Sequence, residues 1–356
     1  MTRSFATRSY FVLVIGAAIA LTFAEAYVQS SSSTPSVSPS AAPGQTFVVA
    51  RSLRPSGSPA AVASADVNND GNTDLVVANA QANTVQVFLG KGNGTFGAGK
   101  SYAVGKTPMA VVVGDFNGDG KPDVAVANQA SDSVSVLLGN GDGTLQAAVT
   151  YAVPKGPSFL AAADLRGQGH PDLLVASSGT NAVAVLLNKG DGSFQSAAPY
   201  NVGAMPRSIA VADLNGDGIP DLASANSNGS VTVLVGDGKG GFQGGQSYTV
   251  GVNASAVVIA DLNHDGKPDL AIADSSTDAV HVLLGNGDGT FRTGGTFNVG
   301  NEPVGLAVAD LNGDGSLDLV ATNRSANTVS VLLGNGDGTF ASSADFVVGN
   351  APMMAA

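Results

Sequence analysis

The chain has no cysteine and no tryptophan, and only 6% of its 356 residues are aromatic and 12% charged. Without cysteine there are no disulfides, thiol nucleophiles, thiolate zinc sites or lipidated-cysteine anchors. With so few aromatic rings, there is little flat apolar surface on which to stack a sugar or a base. Lysine and arginine number 16 against 28 aspartates and glutamates, a net charge of −12, and the basic residues form no cluster. That balance argues against nucleic acid and anionic membrane as partners. The only histidines, His170, His264 and His281, stand at variable positions and read as solvated surface residues. Serines are plentiful but lie in no GxSxG elbow. No catalytic constellation emerges, so the chain reads as non-enzymatic.

Glycine, by contrast, is abundant at 47 residues, and it recurs at fixed offsets. It marks a nonapeptide that reads DFNGDGKPD at 115–123 and returns as DVNNDGNTD, DLNGDGIPD, DLNHDGKPD and DLNGDGSLD from Asp66, Asp213, Asp261 and Asp310. A worn copy, DLRGQGHPD, begins at Asp164, and the six starting aspartates lie 49, 49, 49, 48 and 49 residues apart. Each good copy carries three of the chain's acidic residues and the worn copy two. A period of this length indicates one repeat array rather than several unrelated domains.

Between nonapeptides the pattern is β throughout. An apolar run precedes each loop (AVVVG at 110–114), a second follows it (VAVAN at 124–128), and a third alternates (SVSVLL at 133–138). A glycine turn, GNGDGTF in its cleanest form, then leads to a looser fourth run. Its start is marked by Phe96, Leu145, Phe194, Phe242, Phe291 and Phe340, and its end by an aromatic six residues later. The turn's aspartate position also holds Asn93 and Lys239, which suits a hairpin and not a second ion site. Four short strands per unit and no helix predict an all-β fold, a β-propeller of four-stranded antiparallel blades. The first and second strands are expected to be buried on both faces, and the third and fourth to face outward. Six blades are expected, with a seventh, incomplete or partner-supplied blade as the alternative. Phe47 lies 19 residues before Asp66, as Phe96 does before Asp115, so residues 47–54 read as an extra fourth strand that closes the ring beside the last blade. GNAPMMAA from Gly349 matches the start of another unit, GKTPMAVV from Gly105.

The nonapeptide places hard oxygen donors at positions one, three, five and nine, with glycine at six. Calcium takes six to eight such oxygens, from carboxylates, amides, backbone carbonyls and water. The expected ligands are Asp66, Asn68, Asp70, Asn72 and Asp74 in the first loop and Asp115, Asn117, Asp119, Lys121 and Asp123 in the second. Asp213, Asn215, Asp217, Ile219 and Asp221 follow, then Asp261, Asn263, Asp265, Lys267 and Asp269, and finally Asp310, Asn312, Asp314, Ser316 and Asp318. Position seven contributes its backbone carbonyl. An EF-hand needs glutamate at position twelve, but Val77, Val126, Ser224, Ile272 or Ala321 stands there. In the third copy Arg166 and Gln168 replace two donors, so about five Ca²⁺ ions are expected and the third loop is expected to hold none, its guanidinium acting as an internal counter-charge.

With their flanking ADLNGDG and LLGNGDGTF segments, the nonapeptides resemble FG-GAP/VCBS repeats, the family that includes the propeller of integrin α subunits. The resemblance runs over residues 47–349 and implies a calcium-loaded propeller. Family members serve in adhesion, in sugar binding and as accessory parts of enzymes.

The chain's first 26 residues read as a secretory signal: Arg3 and Arg8, an apolar run at 10–23, and Ala24-Glu25-Ala26 before Tyr27. The uncharged run from 9 to 24 has 16 residues, short of the roughly 20 a spanning helix needs. A Ser/Pro-rich spacer occupies 27–46 and the propeller 47–356. Export to the cell surface or medium follows, without membrane insertion after cleavage. The expected partner is an extracellular protein or glycan, met on the face opposite the acidic loops, where Lys106, Lys155, Phe159, Met205, Arg207, Glu302 and Arg324 break the repeat.

Overall fold

The computed structural model describes Tyr27–Val28, Ser52–Leu53, Pro55 and residues 57–353. Six four-stranded antiparallel sheets follow one another along the chain. They stand as blades around a ring and form a six-bladed β-propeller. Blade 1 comprises Pro59–Ala65, Asp74–Asn79, Thr84–Phe88 and Lys100–Ala103. The inner strands of blades 2 to 6 are Pro108–Gly114, Pro157–Ala163, Pro206–Ala212, Ala254–Ala260 and Pro303–Ala309. Blade 6 is completed by its own fourth strand, Ala344–Val347, which pairs with Thr328–Leu332. The expected closing strand at 47–54 falls largely outside the described residues. Its described part, Ser52–Leu53, pairs in parallel with Tyr27–Val28. Apart from one short 3₁₀ turn, Gln129–Ser131, the described secondary structure is β.

The second strands are the most buried elements, with every residue buried in five of the six blades. They are rich in alanine and valine because each is sandwiched between two neighbouring sheets with little space to spare. Blade 2 illustrates the stacking: Val124 and Val126 pack on Val76 and Ala78 of blade 1, while Ala125 and Ala127 face Leu173 and Val175 of blade 3. The first strands are only half-buried in places, and each begins with a bulge after its leading residue, as between Pro108 and Ala110.

The third strands depart from the outward placement expected of them. Ser133–Leu137 is buried along its whole length, and the polar members of the alternation, Ser135, Gln86 and Thr232, are 0–7% exposed. In blades 2 and 4 the hydroxyls of this alternation meet the buried asparagine that ends the second strand. Asn128 Nδ2 donates to Ser133 and Ser135 Oγ, and Asn226 Nδ2 to Ser230 Oγ and Thr232 Oγ1. The alternation therefore encodes an internal polar ladder. The fourth strands do face solvent. Their aromatic positions join the blades: Tyr151 meets Phe194, Tyr200 meets Phe242, Tyr248 meets Phe291 and Phe297 meets Phe340, edge to face at 5.2–5.7 Å.

Candidate metal centre

Each nonapeptide joins the first strand of a blade to the second, and all six loops are built on one plan. In blade 2 the Asp115 carboxylate accepts N–H bonds from Gly118 (2.7 Å), Asp119 (3.2 Å) and Gly120 (2.8 Å). Asn117 Oδ1 accepts from Asp119 N (3.0 Å), and Asp119 Oδ1 from Lys121 N (2.9 Å). Blades 4 and 6 repeat these contacts through Asp213, Asn215 and Asp217 and through Asp310, Asn312 and Asp314. The turn requires positive φ at position four, supplied by Gly118 (72°) but also by Asn69 (57°) and His264 (58°).

Position nine has a second task that the spacing did not reveal. Asp123 is 0% exposed. Its Oδ2 accepts the N–H of Phe116 (2.9 Å) and its Oδ1 that of Gly139 (2.7 Å), tying the acidic loop to the end of the third strand. Asp74, Asp221, Asp269 and Asp318 do the same. A Cβ on Gly139 would lie 2.1 Å from the Pro122 carbonyl oxygen, whereas blade 3 accommodates Asn188 at the matching position. The glycine turns are hairpins, as expected: Asp142 Oδ1 accepts from Thr144 N and Oγ1. They also brace the preceding blade's acidic loop, since Gly289 N donates to Leu214 O and Gly338 N to Leu262 O, both at 3.1 Å.

The electrostatics of the loops follow from this placement. Burial pushes the Asp123 carboxyl up to about 6, and the charges of Asp119 and Asp115 add to the shift against the two N–H bonds. Burial raises Asp74, Asp221, Asp269 and Asp318 in the same way, each with two neighbouring carboxylates contributing. At the exposed mouth the direction reverses: bonds from Asn68 and Asn72 hold Asp70 low, and bonds from Ser316 and Asn312 hold Asp314 low. A good loop thus holds one buried carboxylate behind two others with no positive charge built in behind it.

The third loop has such a charge. Arg166 Nη2 donates to Asp172 Oδ1 (2.8 Å) and to the Asn188 carbonyl (2.5 Å), and Nε to Asp172 Oδ2 (3.3 Å). Asp172 is 0% exposed and the arginine side chain 13%. The guanidinium lies against the position-nine carboxylate, in the loop that has lost donors three and five.

The loops gather the expected residues in part. Positions one, three and five lie together at the mouth, position nine lies beneath them, and the position-seven N–H groups close the turn. Among the described residues, no group of three or more acidic or imidazole side chains is drawn into a metal cage. The donor set of the other five loops nonetheless fits a hard divalent cation: each of these offers three carboxylates and an amide oxygen, and these oxygens keep lone pairs beyond those taken by N–H groups.

Two expectations about other residues are corrected. Among the histidines, His264 is exposed, but His281 is largely covered, with Nδ1 at 3.0 Å from Thr296 Oγ1 and Nε2 at 3.9 Å from the buried Asp274 carboxylate. Burial lowers its pKa, opposed by Asp274. On the far face, Phe159 packs into the core between blades 3 and 4 and is not a free contact residue. Met205 is half exposed, Arg207 donates to Ser227, and Arg324 pairs with Glu302.

A family model described as FG-GAP-like repeat matches residues 66–126, 115–175, 164–224, 213–272, 261–321 and 310–355. The chain belongs to this family. Among curated proteins, none matches it. Several solved structures resemble the chain in fold. One is a lectin from Agrocybe aegerita, in a study of its recognition of non-reducing terminal N-acetylglucosamine, at 23% identity and TM-score 0.55, covering 80% of this chain and 79% of that one. Another is the periplasmic gluconolactonase of Pseudomonas aeruginosa, at 17% identity and TM-score 0.64, covering 83% and 86%. A third is BBS1N in complex with ARL6DN, at 14% identity and TM-score 0.59, covering 82% of each chain. At these identities the likeness is one of fold.

Proposed function

We propose that this FG-GAP-like protein is an exported, calcium-stabilised propeller that acts as a non-catalytic protein-binding or adhesion module. The observation that carries the calcium reading is internal to the chain. Where the loop loses its donors, at Arg166 and Gln168, a cation is built in covalently against the buried position-nine carboxylate. Where the donors remain, the same carboxylate has no such partner, and a soluble cation would take that place. Asp66, Asn68, Asp70 and Asp74 would hold it in the first loop, with the Asn72 carbonyl, and the matching residues in blades 2, 4, 5 and 6. Affinities of extracellular modules run at ~10⁻⁴–10⁻³ M. At ~2 mM calcium each filled loop then adds roughly 0.7–1.8 kcal/mol to folding stability. Export rests on the charged start and short apolar run at the N-terminus, and the binding role on a rigid scaffold without converging catalytic groups. The test is thermal unfolding in calcium and in chelator, which should differ by several degrees, followed by capture of partners at the cell surface. Identical curves would remove the calcium reading.

A carbohydrate-binding or enzyme-accessory role is the second reading. It is favoured by the fold likeness to a lectin and by a groove of about 200 Å³ between blades 3 and 4, lined by Gln195, Ser196, Tyr200, Asp237 and Lys239. Selective binding on a glycan array would promote it.

A further inference from the structure

Asparagine is followed by glycine at eight places in the chain. In such a pair the next main-chain nitrogen can attack the side-chain amide carbon, because glycine has no Cβ to hinder the approach. Whether it does so in a folded chain depends on two features. The glycine N–H must be free, and the amide oxygen needs donors that stabilise the oxyanion formed on attack.

In the acidic loops the nitrogen is spent. Gly118, Gly216 and Gly313 each donate their N–H to the position-one carboxylate at 2.7 Å, so Asn117, Asn215 and Asn312 face a nitrogen already held by a charge. Gly229 likewise donates to the Asn226 carbonyl at 3.0 Å, next to Asn228. In the glycine turns of blades 2, 5 and 6 it is the amide that is badly placed. Asn140, Asn286 and Asn335 donate Nδ2 to a threonine hydroxyl at 2.8–2.9 Å, and their Oδ1 accepts no hydrogen bond among the described residues.

Among the described residues, Asn93 alone combines both features. It is exposed in the blade 1 hairpin, at the position that holds Asp142, Asp191, Asp288 and Asp337 in blades 2, 3, 5 and 6. Its Oδ1 accepts the Thr95 N–H at 3.1 Å and the Thr95 hydroxyl at 2.6 Å. Gly94 takes φ 75°, its surroundings are open, and its N–H has no partner among the described residues. An Oδ1 bonded two residues ahead draws Cγ over the intervening nitrogen, and the two donors polarise the carbonyl for attack.

We propose that Asn93 is a self-modifying site that converts spontaneously to an acidic residue. The Gly94 nitrogen bonds to Asn93 Cγ and passes its proton, through water, to the side-chain nitrogen, which leaves as ammonia. Water then opens the five-membered imide at either carbonyl and leaves aspartate or its β-linked isomer. The hairpin is already suited to the aspartate product, since Asp142 and Asp288 hold the same two bonds to Thr144 and Thr290. Those bonds hold both carboxyls below the usual range. Conversion therefore adds one negative charge to blade 1 without loss of a contact, and the charge accumulates with time after folding.

The test is peptide mapping by mass spectrometry of the folded full chain, held in chelator at mildly alkaline pH so that bound calcium protects no site. Conversion at Asn93 should run at least about tenfold ahead of Asn117, Asn215 and Asn312, whose glycine nitrogens must first give up a charged hydrogen bond. In denaturant this order should collapse. Thr95→Val removes one oxyanion donor and should slow Asn93 roughly 2–10-fold, while Thr95→Ser, the residue that blade 3 uses as Ser193, should keep the parent rate. Asn93 reacting no faster than Asn117 in the folded chain, or at the parent rate in Thr95→Val, would overturn the proposal. So would the same ranking in denaturant, which would trace it to the sequence alone and not to the hairpin.

Discussion

Replacing Arg166 by asparagine separates the two kinds of loop most sharply. The variant removes the only cation that, among the described residues, is built against a position-nine carboxylate, and leaves Asp172, which is 0% exposed, without its charged partner. Removing one partner of a buried ion pair costs about 3–5 kcal/mol. The arginine side chain is 13% exposed, and the Asn188 N–H still serves Asp172, so the lower end applies, about 3 kcal/mol. At about 2–4 °C per kcal/mol, the range for domains of roughly 150–250 residues, the melting temperature should fall by roughly 6–12 °C. Calcium should recover little of this, because Gln168 still occupies position five. Adding Gln168→Asp makes the loop DLNGDGHPD. The double variant should be as weak as Arg166→Asn in chelator, but gain more from calcium than the parent does. The assay is differential scanning calorimetry of the three proteins in chelator and in millimolar calcium. An unchanged melting temperature for Arg166→Asn, or a double variant no more calcium-responsive than the parent, would refute the claim that arginine and calcium are alternatives.

Other predictions follow from the same loops. Asp119→Ala should reduce the calcium-dependent rise in melting temperature by about one site's worth, roughly 0.7–1.8 kcal/mol, whereas Gln168→Ala should leave it unchanged. In calcium-free protein, burial pushes Asp123 up to about 6 in the folded state against 3.8 for a free aspartate, so between those values the folded state holds the extra proton. Stability should therefore decline as pH rises between those values and stay low above them, with Asp74, Asp221, Asp269 and Asp318 adding in the same direction. Calcium should accordingly stabilise more at about pH 7 than at about pH 5, and a pH series of melts checks it. Gly139→Ala forces a Cβ to 2.1 Å from the Pro122 carbonyl and should cost at least about 1–3 kcal/mol, measurable by urea unfolding.

Most of the fold was legible because a repeat states its own boundaries. One nonapeptide and one aromatic pair per unit gave the blade, its four strands and the count of six. The third strand was misread, since alternation of Ser135 and Thr232 with valines looks the same whether the polar face meets water or a buried Asn128 or Asn226. The acidic loop was legible in composition but not in wiring. No spacing announces that Asp123 spends its oxygens on Phe116 and Gly139 N–H groups, or that Arg166 reaches past its own turn to Asp172 and Asn188. Those contacts depend on the third strand ending beside the loop, a tertiary fact. His281 occupies the same slot of the alternation as Ser135, and its cover comes from Thr296 and Asp274, contacts that the spacing does not show.

Calcium stoichiometry tests the central claim most directly. Protein dialysed to equilibrium against about 10 mM calcium should hold, in excess of the dialysate, about five calcium ions per chain by elemental analysis. Chains without bound calcium, with the same unfolding curve in calcium and in chelator, would contradict it.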